Sequence, residues 1–222
     1  ILPFLVFFPF LGAVISYIIG RSNKGARDIW CWILSAVIFI ASLTLIGKET
    51  VYSLRGFCGL GLSFAADGFG VILAVLTGAI WLITTIFSKE YMAAERNRNR
   101  YYFFVFLTLG ATMGIFLSAD LFTTFIFFEI MSFTSFVLVM HDEEDFTVRS
   151  AKTYLAVAVI GGLVTLMGLF MMYQKAGTLN MAELTAFMQS RENPAEFYAI
   201  GVLILFGFAA KAGLFPLHIW LP

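Results

Sequence analysis

Seven charge-poor apolar runs divide this 222-residue chain: Ile1–Gly20, Ile29–Gly47, Gly68–Ser88, Tyr101–Ser118, Leu121–Met140, Tyr154–Tyr173 and Phe197–Leu214. About 18 consecutive apolar residues suffice for a helix to cross a bilayer core. The runs are continuously apolar rather than alternating, which points to helices and excludes a barrel. The expected fold is therefore all-α, a polytopic transmembrane helix bundle with about six full spans plus a broken seventh helix. Composition agrees: 60% of residues are hydrophobic and 13% charged, against about 45–50% and 25% in soluble domains. A soluble fold of this size could not hide so much apolar surface. Ile1–Gly20 has no basic segment before it and no small-residue cleavage site after it, so a retained span is expected there, not a removed leader.

The polar breaks give an orientation. Arg21–Asp28, Lys89–Arg100 and His141–Lys152 fall on one side, with nine Lys/Arg; Lys48–Leu62, Asp120 and Gln174–Glu196 fall on the other, with four. The positive-inside rule places the first set in the cytoplasm and the N-terminus outside. By position, 1–100 holds the first three spans and their loops, and 101–222 the rest. Asn180 with Glu183 reads as a helix cap and its reciprocal partner. Met181, Leu184, Phe187 and Met188 then form the apolar stripe of a short interfacial helix, and Asn193-Pro194 opens the seventh span. Gly110 and Gly114 make a small-residue face for close helix packing.

Fourteen basic residues balance fourteen acidic ones, so no global charge points to nucleic acid. Cys31 and Cys58 have no metal-ligand spacing and are expected to be packing residues. No phosphate-binding or dinucleotide fingerprint occurs, so neither a cofactor nor a metal is expected.

Two ionisable residues interrupt the apolar runs. Glu129 and Lys211 each cost at least roughly 2.5–3.5 kcal/mol at the centre of a span. Glu129 falls roughly 12 Å below the start of its run and Lys211 roughly 21 Å below Phe197, which puts both in mid-membrane. A static pair locking two helices is the plain alternative, but a buried pair is a poor source of stability, which favours a working role. Gly213 and Pro216 follow Lys211 and break the helix: Pro216 removes an amide donor and displaces a carbonyl. Broken helices at membrane depth line cavities and mark ion pathways. His218, just beyond, exchanges protons near neutral pH. Lys152 starts the sixth span and could simply snorkel. Asp67 is expected to cap the third helix, while Asp120 reads as a solvated turn residue.

Phe127-Phe-Glu129-Ile-Met131, Ala151-Lys152-Thr-Tyr154, Gly177-Thr-Leu-Asn180 and Lys211-Ala-Gly-Leu-Phe-Pro216-Leu-His218-Ile-Trp220-Leu-Pro222 occur in that order. From about Leu62 onward the chain resembles the antiporter-like membrane subunits of respiratory complex I, of Mrp-type cation/proton antiporters and of membrane-bound hydrogenases. Members have about fourteen spans with two inverted repeats, so the resemblance implies an N-terminal half with most of the first repeat. It implies that Glu129 and Lys211 form the charge pair of a half-channel, with Lys152 and His218 as further members. The implied function is proton or cation/proton translocation within a redox-driven complex of several membrane subunits in a bacterial or archaeal cell membrane. The alternatives are a gradient-driven Mrp-type Na+/H+ antiporter subunit, a non-catalytic structural subunit and, more weakly, a quinone-binding protein. Electron-transfer energy would come from partner subunits, since no redox centre is visible.

Overall fold

The computed structural model describes residues 1–54, 56–190, 195–215 and 218. Among them are eight α-helices: α1 (Leu2–Ser22), α2 (Lys24–Leu43), α3 (Gly68–Tyr91), α4 (Arg98–Phe116), α5 (Leu121–Val139), α6 (Asp145–Ala176), α7 (Met181–Gln189) and α8 (Ala195–Ala212). Of the described residues, those of α1, α2, α3, α5 and α6 form helices long and apolar enough to cross a membrane. In α4 the opening Arg98-Asn-Arg100-Tyr-Tyr dilutes the apolar character, and the apolar part of α8, Phe197–Ala212, is shorter. The chain is an integral membrane protein built as a polytopic helix bundle. It forms two compact units, Ile1–Leu54 with Ser63–Ser118, and Arg55–Leu62 with Ala119–Pro222.

In the first unit α1 packs on α2 and α4, and α3 on the same two helices. Lipid supplies no hydrophobic drive for helix association, so close packing and interhelical hydrogen bonds hold the helices together. Indole N–H groups reach across to backbone carbonyls: Trp30 to Gly12, Trp32 to Thr85 and Trp81 to Val105, at 3.1–3.2 Å. Ser35 and Thr85 hydroxyls meet at 2.9 Å. A Cβ on Gly110 would fall 2.6 Å from the Phe10 ring and 2.9 Å from the Val6 carbonyl, so this glycine lets α1 and α4 approach.

The segment expected to be a plain polar loop, Lys48–Leu62, instead contributes to a two-stranded hairpin of β1 (Thr50–Leu54) and β2 (Leu62–Ala66). Its two-residue alternation shows in β2, where Phe64 and Ala66 are buried. The Ala65 N–H donates to the Leu117 carbonyl at 2.8 Å, tying the hairpin to the end of α4. At the opposite end the first and third polar breaks meet, as their shared side requires. Arg98 donates to the Lys89 carbonyl at 3.1 Å and to Asp28 at 3.3 Å, and Arg27 donates to Asn99.

In the second unit α6 packs along α8 and against α5. Phe122, Phe125, Leu169, Leu184, Phe197, Ile200 and Ile204 form its core. Asn180 caps α7, accepting from the Ala182 and Glu183 amides at 3.0 and 3.2 Å. Leu184 is buried, with Phe187 and Met188 packed beside it, while Met181, the first member of the expected stripe, is exposed. The reciprocal half of the cap is rerouted: Glu183 accepts from the Thr178 hydroxyl, and that hydroxyl accepts from the Asn180 amide at 3.1 Å.

Several expectations need correction. Asp120 is the N-cap of α5, accepting from the Thr123 amide at 2.7 Å and from its hydroxyl at 2.6 Å. Asp67 does cap α3, through the Gly70 amide at 2.7 Å. Cys31 is buried, but Cys58, expected to pack, is exposed. Nothing interrupts the helix between Asp145 and Tyr154, so α6 starts well before its apolar run and takes in Lys152. Asn193-Pro194 lies outside the described residues.

Candidate functional site

On α5, Glu129 and Ser132 are three residues apart and share a face. Ser132 is buried and Glu129 half-buried, with its Oε1 enclosed. The Ser132 hydroxyl donates to the Phe128 carbonyl at 2.8 Å, one turn back along the helix. Lys211, in the last turn of α8, reaches this spot. Its Nζ donates to the Ser132 Oγ at 2.6 Å and to the Phe128 carbonyl at 3.2 Å. It also lies 4.7 Å from the centre of the Phe128 ring, a cation–π arrangement. Phe128 is steadied in turn by an edge-on contact with Phe208, ring centres 4.8 Å apart.

No salt bridge joins Lys211 to Glu129 among the described residues. The ammonium docks on Phe128, next to the acid in the chain, and on Ser132, three residues beyond it. Glu129 Oε1 is buried and has no hydrogen-bond partner among the described residues. Such an atom is costly to leave unsatisfied, so its neighbourhood suits a water or a shifting cation.

The acid leans on α6. A Cβ on Gly162 would fall 2.6 Å from Glu129 Oε1, so the glycine leaves the space the carboxylate fills. Tyr154, also on α6 and 3% exposed, donates its hydroxyl to the Ser132 carbonyl at 3.3 Å. Sequence reasoning assigned no part to Ser132, Gly162 or Tyr154. The available signals were the three-residue spacing of Glu129 and Ser132, and a Gly161-Gly162 pair inside a span.

The interruption after Lys211 falls at Gly213. Its φ is +68°, and the Leu214 amide donates back to the Ala209 carbonyl at 3.0 Å. That six-to-one bond, with glycine left-handed, closes the helix with a Schellman motif. Helix α8 therefore already ends at Ala212, four residues before Pro216, which lies outside the described residues. The helix end also places the Lys211 charge against the negative end of the α8 dipole. Lys152 is exposed in the second turn of α6, and His218 is exposed with its ring stacked 5.4 Å from that of Phe215. Neither makes a hydrogen bond or ion pair with Glu129 or Lys211 among the described residues.

Fold and site together define a polytopic helical membrane protein that holds an acid and an amine between its apolar helices. Residues 118–222 match the family described as NADH:quinone oxidoreductase/Mrp antiporter, TM. Over its whole length it is 31% identical to a Na(+)/H(+) antiporter subunit of Bacillus subtilis, of which it covers 46%. It superposes with a TM-score of 0.87 on a chain of the membrane-bound sulfane sulfur reductase, an archaeal respiratory membrane complex. Identity there is 21%, over 99% of this chain and 46% of that one. The Mrp complex from a Dietzia species gives 0.82 at 24% identity, over 99% and 42%. At those identities the two structures show the fold alone. The chain spans a little under half the length of these relatives.

Proposed function

We propose that the chain is the N-terminal part of a subunit that moves protons, or exchanges cations for protons, using Glu129 and Lys211 as a switchable relay. The observation that carries this is the docking of Lys211 on the α5 residues flanking Glu129, while the acid's own buried oxygen stays unpartnered among the described residues. Two placements of one ammonium are then within a short swing of each other. Beside an ionised Glu129 the charged lysine is favoured; away from it, in an apolar site, release of its proton is favoured. A charge moved across the membrane is driven or opposed by roughly 2.3 kcal/mol per 100 mV, a range an internal pair can match. Lys152 and His218 would feed or drain the pair through water, and the helix break at Gly213 and Pro216 would open the path to it.

The gradient-driven form leads, since the Bacillus relative is a Na(+)/H(+) antiporter subunit. A redox-driven parent complex is the second reading, supported by the fold shared with the archaeal respiratory complex. In either form the partners are other membrane subunits, in a bacterial or archaeal cell membrane with the N-terminus outside.

The test uses the full-length protein in its native complex in inverted vesicles. Proton movement that follows an imposed sodium gradient without any electron donor supports the antiporter form. Movement only with an electron donor supports the redox form. Glu129→Gln or Lys211→Ala that assembles and transports at the native rate overturns both.

A further inference from the structure

The loop end of the first unit holds a feature no part of the relay uses. A cavity of about 570 Å³ opens between the end of α1, the start of α2 and the start of α4. That volume lies within the range of small-molecule sites, about 300–1,000 Å³. Its walls include Lys24, Arg27, Arg96, Arg98 and Arg100, against a single carboxylate, Glu95. Asp28, which pairs with Arg27 at 2.8 Å and Arg98 at 3.3 Å, offsets one further charge from behind.

The cavity is built rather than incidental. Arg27 is fully buried, its guanidinium held by Asp28 and Asn99 and lying 4.8 Å from the Tyr102 ring centre. Gly20 makes room for it, since a Cβ there would fall 2.8 Å from Arg27 Cδ. Arg98 Nε is buried with no hydrogen-bond partner among the described residues. Helix α4 starts here as well. Asn97, at φ +61°, makes no side-chain cap. Guanidinium forks are donors that recognise phosphate oxygens.

We propose that this cavity binds the phosphate headgroup of an anionic phospholipid. A lipid rather than a free anion is favoured by what surrounds the opening. Tyr17 lines the cavity and is exposed, and the exposed Ile15 and Ile18 of α1 lie beside it in the chain. An acyl chain could run along that apolar helix while its phosphate enters the basic cavity, at the boundary where apolar helix gives way to polar loop. Basic pockets at the ends of transmembrane helices suit anionic headgroups.

The test is native mass spectrometry of the detergent-solubilised full-length protein mixed with phosphatidylglycerol, phosphatidylcholine or inorganic phosphate. The variant is Lys24→Gln with Arg96→Gln, both exposed and neither part of the buried Arg27 cluster. Expected is retention of phosphatidylglycerol but not phosphatidylcholine, about 30-fold weaker in the variant at about fivefold per basic side chain. Equal retention of the two lipids, or of phosphatidylglycerol by variant and native protein, overturns the proposal. Displacement of phosphatidylglycerol by millimolar inorganic phosphate would show a free-anion site and overturn the assignment to lipid.

Discussion

Lys211 Nζ sits 2.6 Å from the hydroxyl of Ser132. The lysine that belongs with Glu129 by charge is thus anchored one helical turn away, on a neutral partner. In the proposed relay the serine would be one of two resting places for the ammonium, the other lying beside the acid. A relay needs two such places, one for each state of the pair.

Ser132→Ala removes that resting place while leaving Glu129 and Lys211 intact. Hydrogen bonds to charged groups contribute about 1.5–3 kcal/mol, and the partial exposure of Lys211 lowers this toward about 1 kcal/mol. Transport slowed about fivefold, with normal assembly, is the expected outcome in a vesicle flux assay. Unchanged flux would show that the serine contact plays no part.

Gly162→Ala would put a methyl group 2.6 Å from Glu129 Oε1. The atom in the way is the end of a flexible side chain, so the helices need not separate and the unfolding temperature should stay within a few degrees. The carboxylate must move instead. Misplacing a reacting group by about 1 Å can cost 100-fold, so transport should fall by about 10- to 100-fold in correctly assembled protein. Full activity with an unshifted melting curve would count against the glycine as a positioning residue.

Arg27→Ala should be costly to the fold rather than to transport chemistry. It removes the buried cation from Asp28 and Asn99 and leaves a void against Tyr102. Breaking a buried pair costs about 3–5 kcal/mol. Arg98 still reaches Asp28, so the low end, about 3 kcal/mol, is expected in denaturant unfolding in detergent. A loss below about 1 kcal/mol would show that this cluster is hydrated rather than structural.

Gly110→Ala offers a contrast. Its new methyl would meet the Val6 carbonyl at 2.9 Å, and that backbone cannot turn aside as a side chain can. Overpacking of this kind costs about 1–3 kcal/mol. Reduced thermal stability with normal flux per folded molecule is expected; normal stability would contradict the packing of α1 on α4.

The spans were legible because lipid leaves a backbone no partner but itself, so each crossing must be apolar along its length. The same solvent made Glu129 and Lys211 conspicuous. Arg27 escaped notice for the converse reason. Standing among polar residues between two apolar runs, it looked hydrated, and only the packing of α1, α2 and α4 shows its guanidinium enclosed. Ser132 is a common residue in membrane helices and advertises nothing until Lys211 arrives from another helix. Pro216 was the obvious helix breaker, yet Gly213 already ends α8, because a left-handed glycine lets the chain turn back on the carbonyl of Ala209.

A double-mutant cycle on proton flux bears most directly on the pairing of Glu129 with Lys211, using Glu129→Gln, Lys211→Ala and the two combined in the assembled full-length complex. If the two groups act as one unit, each single variant abolishes most of the flux and the double variant is no slower than the worse single. Strictly additive losses, or a single variant that pumps at the native rate, would contradict a relay built on this pair.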